Sequence, residues 1–452
     1  MRQIAPGKPL KPTTESVPVD DIYAIKFGAL WRYFKLEHLS FIALCVYFFF
    51  EYVRPQQIHD FIDVLPWAQL SLLTVILAVF LDRTVRWVND SQNVLMILYF
   101  LIVIMSSLLA FSPKEAFDNY TVILNWFLIY FLMINILNSD KRLVVFVLLF
   151  LMYNFKMAQT GFRTFADRGF SFQLHGLVGA PGWFHNSGEY ATALLIFGAL
   201  AMAFAVGLFS HWNIYKKIFF VLMPVVGFVT VLGTNSRGGQ LGLVAMLVWL
   251  LLFWKYRVKA LITVAVIVVL GSQLIPQEQF ERFNTAGDDE TSEQRLEYWG
   301  LGLDIMKDYP LFGVGFSNWY HYVSYIRPEG IGPLGEIEMA HNTFIEAGTE
   351  LGYLGLGVYV LMILGVFYKN FLTRKYAKQC DDKFLYFMAY AFDAALIGYL
   401  VSSFFMSILH YPFFWVQLGM SVAFCNVARN KLKATADQVA ISEPVATVRS
   451  FQ

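Results

Sequence analysis

Charge is scarce in this chain: Asp, Glu, Lys and Arg make up only 15% of its 452 residues, against 57% hydrophobic and 17% aromatic. A soluble domain carries about a quarter charged residues, so an ordinary soluble fold is excluded. Cysteine is rarer still, with three in all. Cys45 and Cys425 fall in apolar runs and Cys380 in a short polar connection, which leaves no external disulfide framework. Residues 1–18 lack the basic start, apolar stretch and small-residue cleavage site of a signal peptide, so no cleavage is expected there. There is no glycine-rich phosphate loop ahead of a lysine, no internal repeat and no basic run interleaved with aromatics. These absences argue against nucleotide hydrolysis as a power source and against nucleic acid as a partner.

What the chain has in abundance is long apolar runs, and mean hydropathy is +0.53. Runs such as Asn93 to Phe111 and Val258 to Ile275 are apolar on every face rather than alternating, which selects helices over a β-barrel. A hydrocarbon core ~30 Å thick needs about 20 such residues per helix. Spans are expected near 39–53, 66–81, 93–111, 119–137, 143–155, 189–209, 217–233, 239–254, 258–275, 349–368, 384–409 and 411–427. The expected fold class is therefore an all-α polytopic membrane protein of about 12 transmembrane helices, bathed in membrane lipids. Its expected organisation is a cytoplasmic arm (1–38), helices 1–9 (39–275), an external loop containing short helices (276–348), helices 10–12 (349–427) and a cytoplasmic tail (428–452).

Orientation follows from the retention of Lys and Arg on the cytoplasmic side. With both termini inside, most of the 34 Lys and Arg are cytoplasmic. The exceptions are Arg54, Lys114, Lys156, Arg163, Arg168, Arg237, Arg282, Arg295, Lys307 and Arg327. Cations held against this bias invite a functional explanation.

Two external segments concentrate them. Lys156 to Ser187 carries Arg163, Arg168, His175, Trp183 and His185, and is too long for a simple turn. In the longer segment, Asn284 to Ser292 reads as an acidic loop. Glu293 to Asp308 reads as a helix with Leu296, Trp299, Leu303 and Met306 on the face turned toward the membrane domain. Beyond it, Trp319, Tyr320, His321, Tyr322 and Tyr325 suit either a sugar groove or interfacial anchoring.

Three places carry residues suited to chemistry. Arg237, in Asn235-Ser236-Arg237-Gly238-Gly239-Gln240, is a lone charge between two apolar helices, and its planar donor fork matches a phosphate or carboxylate. Arg295 sits on the external helix beside Glu293, Glu297 and Trp299, an arrangement that surface solvation also explains. His341 opens the stretch that re-enters the membrane. There His341, Phe344 and Ala347 or Gly348 share one helical face and Asn342, Glu346 and Glu350 another. A neutral imidazole with a pKa near ~6.5 suits a general base.

These residues resemble the signature of the O-antigen ligase and polymerase superfamily. Its marks are a short Ser-Arg-Gly motif between helices, a large periplasmic loop and a following His-Asn-x-x-x-Glu. Here they are Ser236-Arg237-Gly238 and His341, Asn342 and Glu346. Arg295 to Trp299 and the Pro-Leu-Phe-Gly-Val-Gly run 310–315 also look like the family's, and Glu51 to Pro55 resembles the start of some members. The resemblance covers about 190–425 and implies a GT-C-like enzyme of the bacterial inner membrane with its active site facing the periplasm. It implies metal-independent, inverting glycosyl transfer, with no cofactor, from a polyprenyl (undecaprenyl) diphosphate-linked glycan to a sugar hydroxyl. The acceptor would be lipid A-core or a growing glycan. His341 would be the base, Arg237 and Arg295 the diphosphate ligands, and Arg163, Arg168, Asn342, Glu346 and Trp299 substrate contacts. Glu346 would orient His341 or Arg237.

Ligase and polymerase share this chemistry, so the motifs leave the two open. A flippase is a rival, but the spans carry few charges to line a path through the membrane. Asp60, Asp63, Asp288, Asp289 and Glu290 offer carboxylates for a cation, yet they read better as solvated loop groups. Asp393, deep in the eleventh expected span, is either functional or a paired structural acid.

Overall fold

The computed structural model describes residues 17–172, 176–252, 290–331 and 335–442. Every regular element among them is a helix. In chain order these are α1 (Val19–Tyr23), α2 (Phe27–Leu36), α3 (Leu39–Tyr52), α4 (Pro55–Ile58), α5 (Trp67–Leu81), α6 (Ser91–Leu108), α7 (Pro113–Ile136) and α8 (Asp140–Asp167). Then come α9 (Ser187–Leu208), α10 (Ile214–Gly233), α11 (Arg237–Leu252), α12 (Glu290–Asp308), α13 (Trp319–Ile326), α14 (Thr343–Gln379), α15 (Lys383–Ser403) and α16 (Pro412–Ser442).

Seven of these helices are long and apolar enough to cross a membrane. An eighth is reached if α2 and α3, bent by 117°, are one span, and α5 and α11 are shorter apolar helices. The count of twelve is not reproduced by these criteria, and the span expected at 258–275 lies outside the described residues. The helix expected at 143–155 runs on to Asp167, so Lys156 and Arg163 are helical rather than loop residues. Met157, Gly161 and Phe165 keep a buried stripe at spacings of four, which carries the helix through its polar positions.

The core is helix against helix. In α9 nearly every side chain from Gly188 to Leu208 is buried, because α10, α11 and α15 all pack on it. Small residues bring these backbones close: Gly242 of α11 faces Gly398 and Ser402 of α15, and Gly239 faces Ala191 of α9. The twelfth expected span, in α16, is enclosed from Phe413 to Ala428, so Gln417 and Asn426 meet protein and not lipid. Leu73, Leu77, Phe80, Leu101, Leu361 and Leu364 point outward, as lipid-facing residues do.

Several buried or half-buried cations among the described residues are paired. Arg142 binds Glu37 at 2.5 Å and Asp82 at 3.4 Å, Lys369 binds Asp90 at 2.7 Å, and Lys431 bridges Asp140 and Asp382 at 2.8 and 2.6 Å. Asp393 belongs with this set. Arg374 pairs with it and the Asn370 amide donates to it at 2.8 Å, which gives it a structural role.

The long α14 is broken at Gly352, whose φ of 68° and ψ of −176° are not helical. The break frees backbone groups that a buried site must satisfy. Residues 310–315 supply the partners: Val314 N–H donates to Thr349 C=O at 2.8 Å, Gly315 N–H to Glu350 C=O at 3.3 Å, and Tyr353 N–H to Pro310 C=O at 2.8 Å. A Cβ on Gly313 or Gly352 would strike the facing backbone, so this run needs its glycines for close docking.

Candidate active site

A polar cavity of about 680 Å³ is lined by Arg237, Arg295 and His341 together. Its walls come from three chain segments and two helix starts. α9 begins at Ser187 with Asn186 as N-cap, whose side chain accepts from Gly188 N–H at 2.8 Å while Glu189 Oε2 accepts from Asn186 N–H at 3.2 Å. α11 begins at Arg237, after Asn235 turns the chain at φ 56° and Ser236 Oγ accepts from Gly239 N–H at 3.2 Å. Ser187, Gly188, Arg237 and Gly238 thus face the cavity with the positive ends of two helices.

α12 supplies Arg295 and also holds the stretch that presents His341. Tyr298 Oη accepts from Glu338 N–H at 2.7 Å, and Trp299 Nε1–H donates to Ala340 C=O at 3.0 Å. Trp299 is therefore an anchor beside the site and is not among the cavity's lining residues. The buried face of α12 is Tyr298, Ile305 and Met306, with Gly302 against Ile345. Leu296 is 61% exposed and Leu303 47%, so the face expected from Leu296, Trp299, Leu303 and Met306 is rotated toward Tyr298. The helix begins at Glu290, earlier than the expected Glu293. The expected acidic loop, with Asp288 and Asp289, lies largely outside the described residues, as do His175 and Arg282.

His341 does not share a helical face with Phe344 and Ala347, because it precedes the helix at φ 48°. Asn342 is the N-cap, its Oδ1 accepting from Phe344 and Ile345 N–H at 2.9 and 3.2 Å. His341 Nε2 lies 2.9 Å from Glu338 Oε2. Glu346 reaches neither His341 nor Arg237. It is buried, accepts from Leu409 N–H at 3.2 Å and lies 3.4 Å from His410 Nε2. Glu350, one turn on, accepts from Ser317 N–H at 2.9 Å and lies 3.1 Å from the same nitrogen.

Arg163 is exposed on α8, away from the cavity lining. Arg168 lies at a separate recess of about 270 Å³ with Lys156, Thr160, Tyr52 and residues 176–181. The segment 182–189 then leads from that recess into the main cavity.

Several lining residues carry weak sequence signals: His185, Glu189 and Tyr411. Tyr411 Oη donates to Glu189 Oε1 at 2.5 Å, and His185 Nδ1 lies 3.5 Å from Glu189 Oε2. His185 stood out only as one residue of the external segment 156–187, and Glu189 and Tyr411 only as polar residues at the ends of apolar runs. Among the described residues, Glu346, Glu350 and His410 are the group of His and acidic side chains close enough to share a cation, with ligand atoms within 4.8 Å. Their oxygens already accept from Leu409, Ser317, Trp319 and His410, so the set fits an internal ion-pair cluster better than a metal site. Burial alone would lower the His410 pKa, but the Glu350 hydrogen bond and the charges of Glu350 and Glu346 outweigh it and raise it above the ordinary histidine value.

The fold is that of a multi-pass helical membrane protein with a polar, cation-bearing cavity at the starts of α9 and α11. A family model described as O-Antigen ligase matches residues 218–360, so this stretch is similar to that family and supports the resemblance to the O-antigen ligase and polymerase superfamily. The matched stretch holds Arg237, Arg295 and His341 and is shorter than the 190–425 expected from the motifs. A search of curated proteins found no match. The match is to a family of glycosyltransferase-type enzymes.

Proposed function

We propose that the cavity is the active site of an O-antigen ligase-like glycosyltransferase, moving a glycan from a polyprenyl diphosphate to an acceptor hydroxyl. The observation that carries this reading is the meeting of two guanidiniums, two helix N-termini and a carboxylate-linked histidine on one cavity. The first two bind a diphosphate and the third activates a hydroxyl. Glu338 holds His341 through Nε2, leaving Nδ1 to take the acceptor proton. The acceptor oxygen attacks the anomeric carbon as the bond to the diphosphate breaks and its electron pair leaves with the phosphate. Arg237 and Arg295 stabilise that developing charge, and attack opposite the leaving group inverts the anomeric centre. No residue of this scheme requires a metal or cofactor. The positive-inside bias supports a bacterial cytoplasmic-membrane location with the cavity on the periplasmic side.

The test is a glycan profile from a deletion strain complemented with wild-type or His341→Ala protein, separating carrier-linked from surface-attached chains. Long chains stranded on the carrier in deletion and variant are the expected, ligase outcome. Short single-repeat products would instead assign polymerisation. Full rescue by His341→Ala would refute the proposed base and reopen transport of the lipid-linked glycan.

A further inference from the structure

The loop 404–411 forms one wall of the cavity through Phe405, Met406, Ser407 and Tyr411, yet it belongs to the connection between α15 and α16. Its position relative to His341 is set by a knot of contacts on the first turns of α14. Thr343 Oγ1–H donates to Met406 C=O at 2.7 Å and accepts from Ile408 N–H at 3.1 Å, while Glu346 accepts from Leu409 N–H. His410 is the centre of the knot. Its Nε2 lies 3.1 Å from Glu350 and 3.4 Å from Glu346, its C=O accepts from Trp126 Nε1–H at 2.8 Å, and its ring meets Phe316 at 4.7 Å.

Glu346 and Glu350 are each 1% exposed and stand one turn apart on one helix. Two buried carboxylates so placed repel unless a donor bridges them. Glu350 also accepts from Ser317 and Trp319 N–H, so the same bridge reaches the segment that follows α12. Three pieces of the site thereby share one imidazole: the wall loop, the start of α14 behind His341, and the chain leading on from the Arg295 helix.

We propose that His410 is a positioning residue that fixes the distance between the wall loop and His341 by bridging Glu346 and Glu350. It is not among the cavity's lining residues, so it acts through others. The inference rests on the glycosyl-transfer reading and is tested separately from it. A misplacement of ~1 Å costs about 10²-fold in rate, because alignment is needed in the transition state and less in binding.

The experiment measures kcat and KM of the full-length protein in proteoliposomes, using polyprenyl-diphosphate-linked glycan extracted from the deletion strain. The variants are His410→Phe, His410→Gln and His341→Ala. His410→Phe keeps the ring's volume without a donor and should lose about 10²-fold in kcat with KM changed less than about threefold. His410→Gln restores one N–H and should recover about a tenfold part of that loss. If His410→Phe does not elute as a folded protein, His410→Gln carries the test, with kcat down about tenfold and KM unchanged. Unchanged kcat in the folded His410 variant would overturn the inference, as would a rise in KM alone, which would make His410 a substrate contact. Loss of wild-type activity to a chelator, restored by Mn²⁺, would overturn it by making the cluster a metal site. An active His341→Ala would refute the proposed base while leaving the His410 result to stand on the wall loop.

Discussion

Replacing Arg237 tests the anion-binding half of the site with little collateral damage. Arg237 is the first residue of α11, whose start is fixed by the Ser236 cap and by Gly238 and Gly239 packed on Phe405 and Ala191. Its side chain faces the cavity. Substitution there leaves the close contacts of Gly238 and Gly239 in place, and a thermal melt beside each rate checks that the variant is folded. One preorganised donor aimed at developing charge is worth ~3–4 kcal/mol, or about 10²–10³ in kcat. Arg237→Ala should fall by that factor. Arg237→Lys keeps the charge but not the two-pronged fork, and should lie between the two, about tenfold below wild type. The assay is the initial rate of glycan transfer from the extracted lipid-linked donor in proteoliposomes. Arg237→Ala within threefold of wild type would refute the assignment of this guanidinium to the leaving group.

Two further outcomes follow from the fold. Gly352→Ala places a side chain at φ 68° against the Leu311 backbone; left-handed backbone alone costs ~1–2 kcal/mol, so the variant should unfold at lower temperature in a detergent melt. The raised His410 pKa gives a pH dependence of stability. A histidine whose folded pKa exceeds its unfolded value of ~6.5 contributes fully below that value and loses the contribution as pH rises through the folded pKa. Wild type should therefore melt lower as pH is raised through that range, and His410→Gln should lose this dependence.

In the sequence, Arg237 and His341 stood out as a cation and an imidazole at the edges of apolar runs, whereas Arg295, which surface solvation also explained, was singled out only through the family resemblance; all three line the one cavity. Local pattern misread their surroundings where tertiary contacts decide. Lys156 and Arg163 looked like loop, although Met157, Gly161 and Phe165 give α8 a buried face there. Leu296 and Leu303 looked like the packed face of α12, although Tyr298 and Gly302 take that place. The pairing of Glu346 with His410 spans more than sixty residues, and no local spacing encodes it.

The electrostatics of helix starts bear on the proposed diphosphate site at Arg237. The first turns of α7, α8, α9 and α14 carry Glu115, Asp140, Glu189 and Glu346, as the positive end of a helix favours. α11, like α2, α3, α5, α6, α10 and α15, has no acid in its first turn, and it opens on a guanidinium. A cation there opposes the helix dipole by ~0.3–1 kcal/mol, and more where water is excluded. A second guanidinium, Arg295, and the start of α9 face the same space and add to that opposition. Glu189 lines the same space and Glu338 lies 2.9 Å from His341 Nε2, so carboxylates stand among these cations, while Gly238 and Gly239 make the close contacts of the motif. On the proposed reading, a diphosphate has the two adjacent charged groups that two guanidiniums and two helix N-termini would together accommodate.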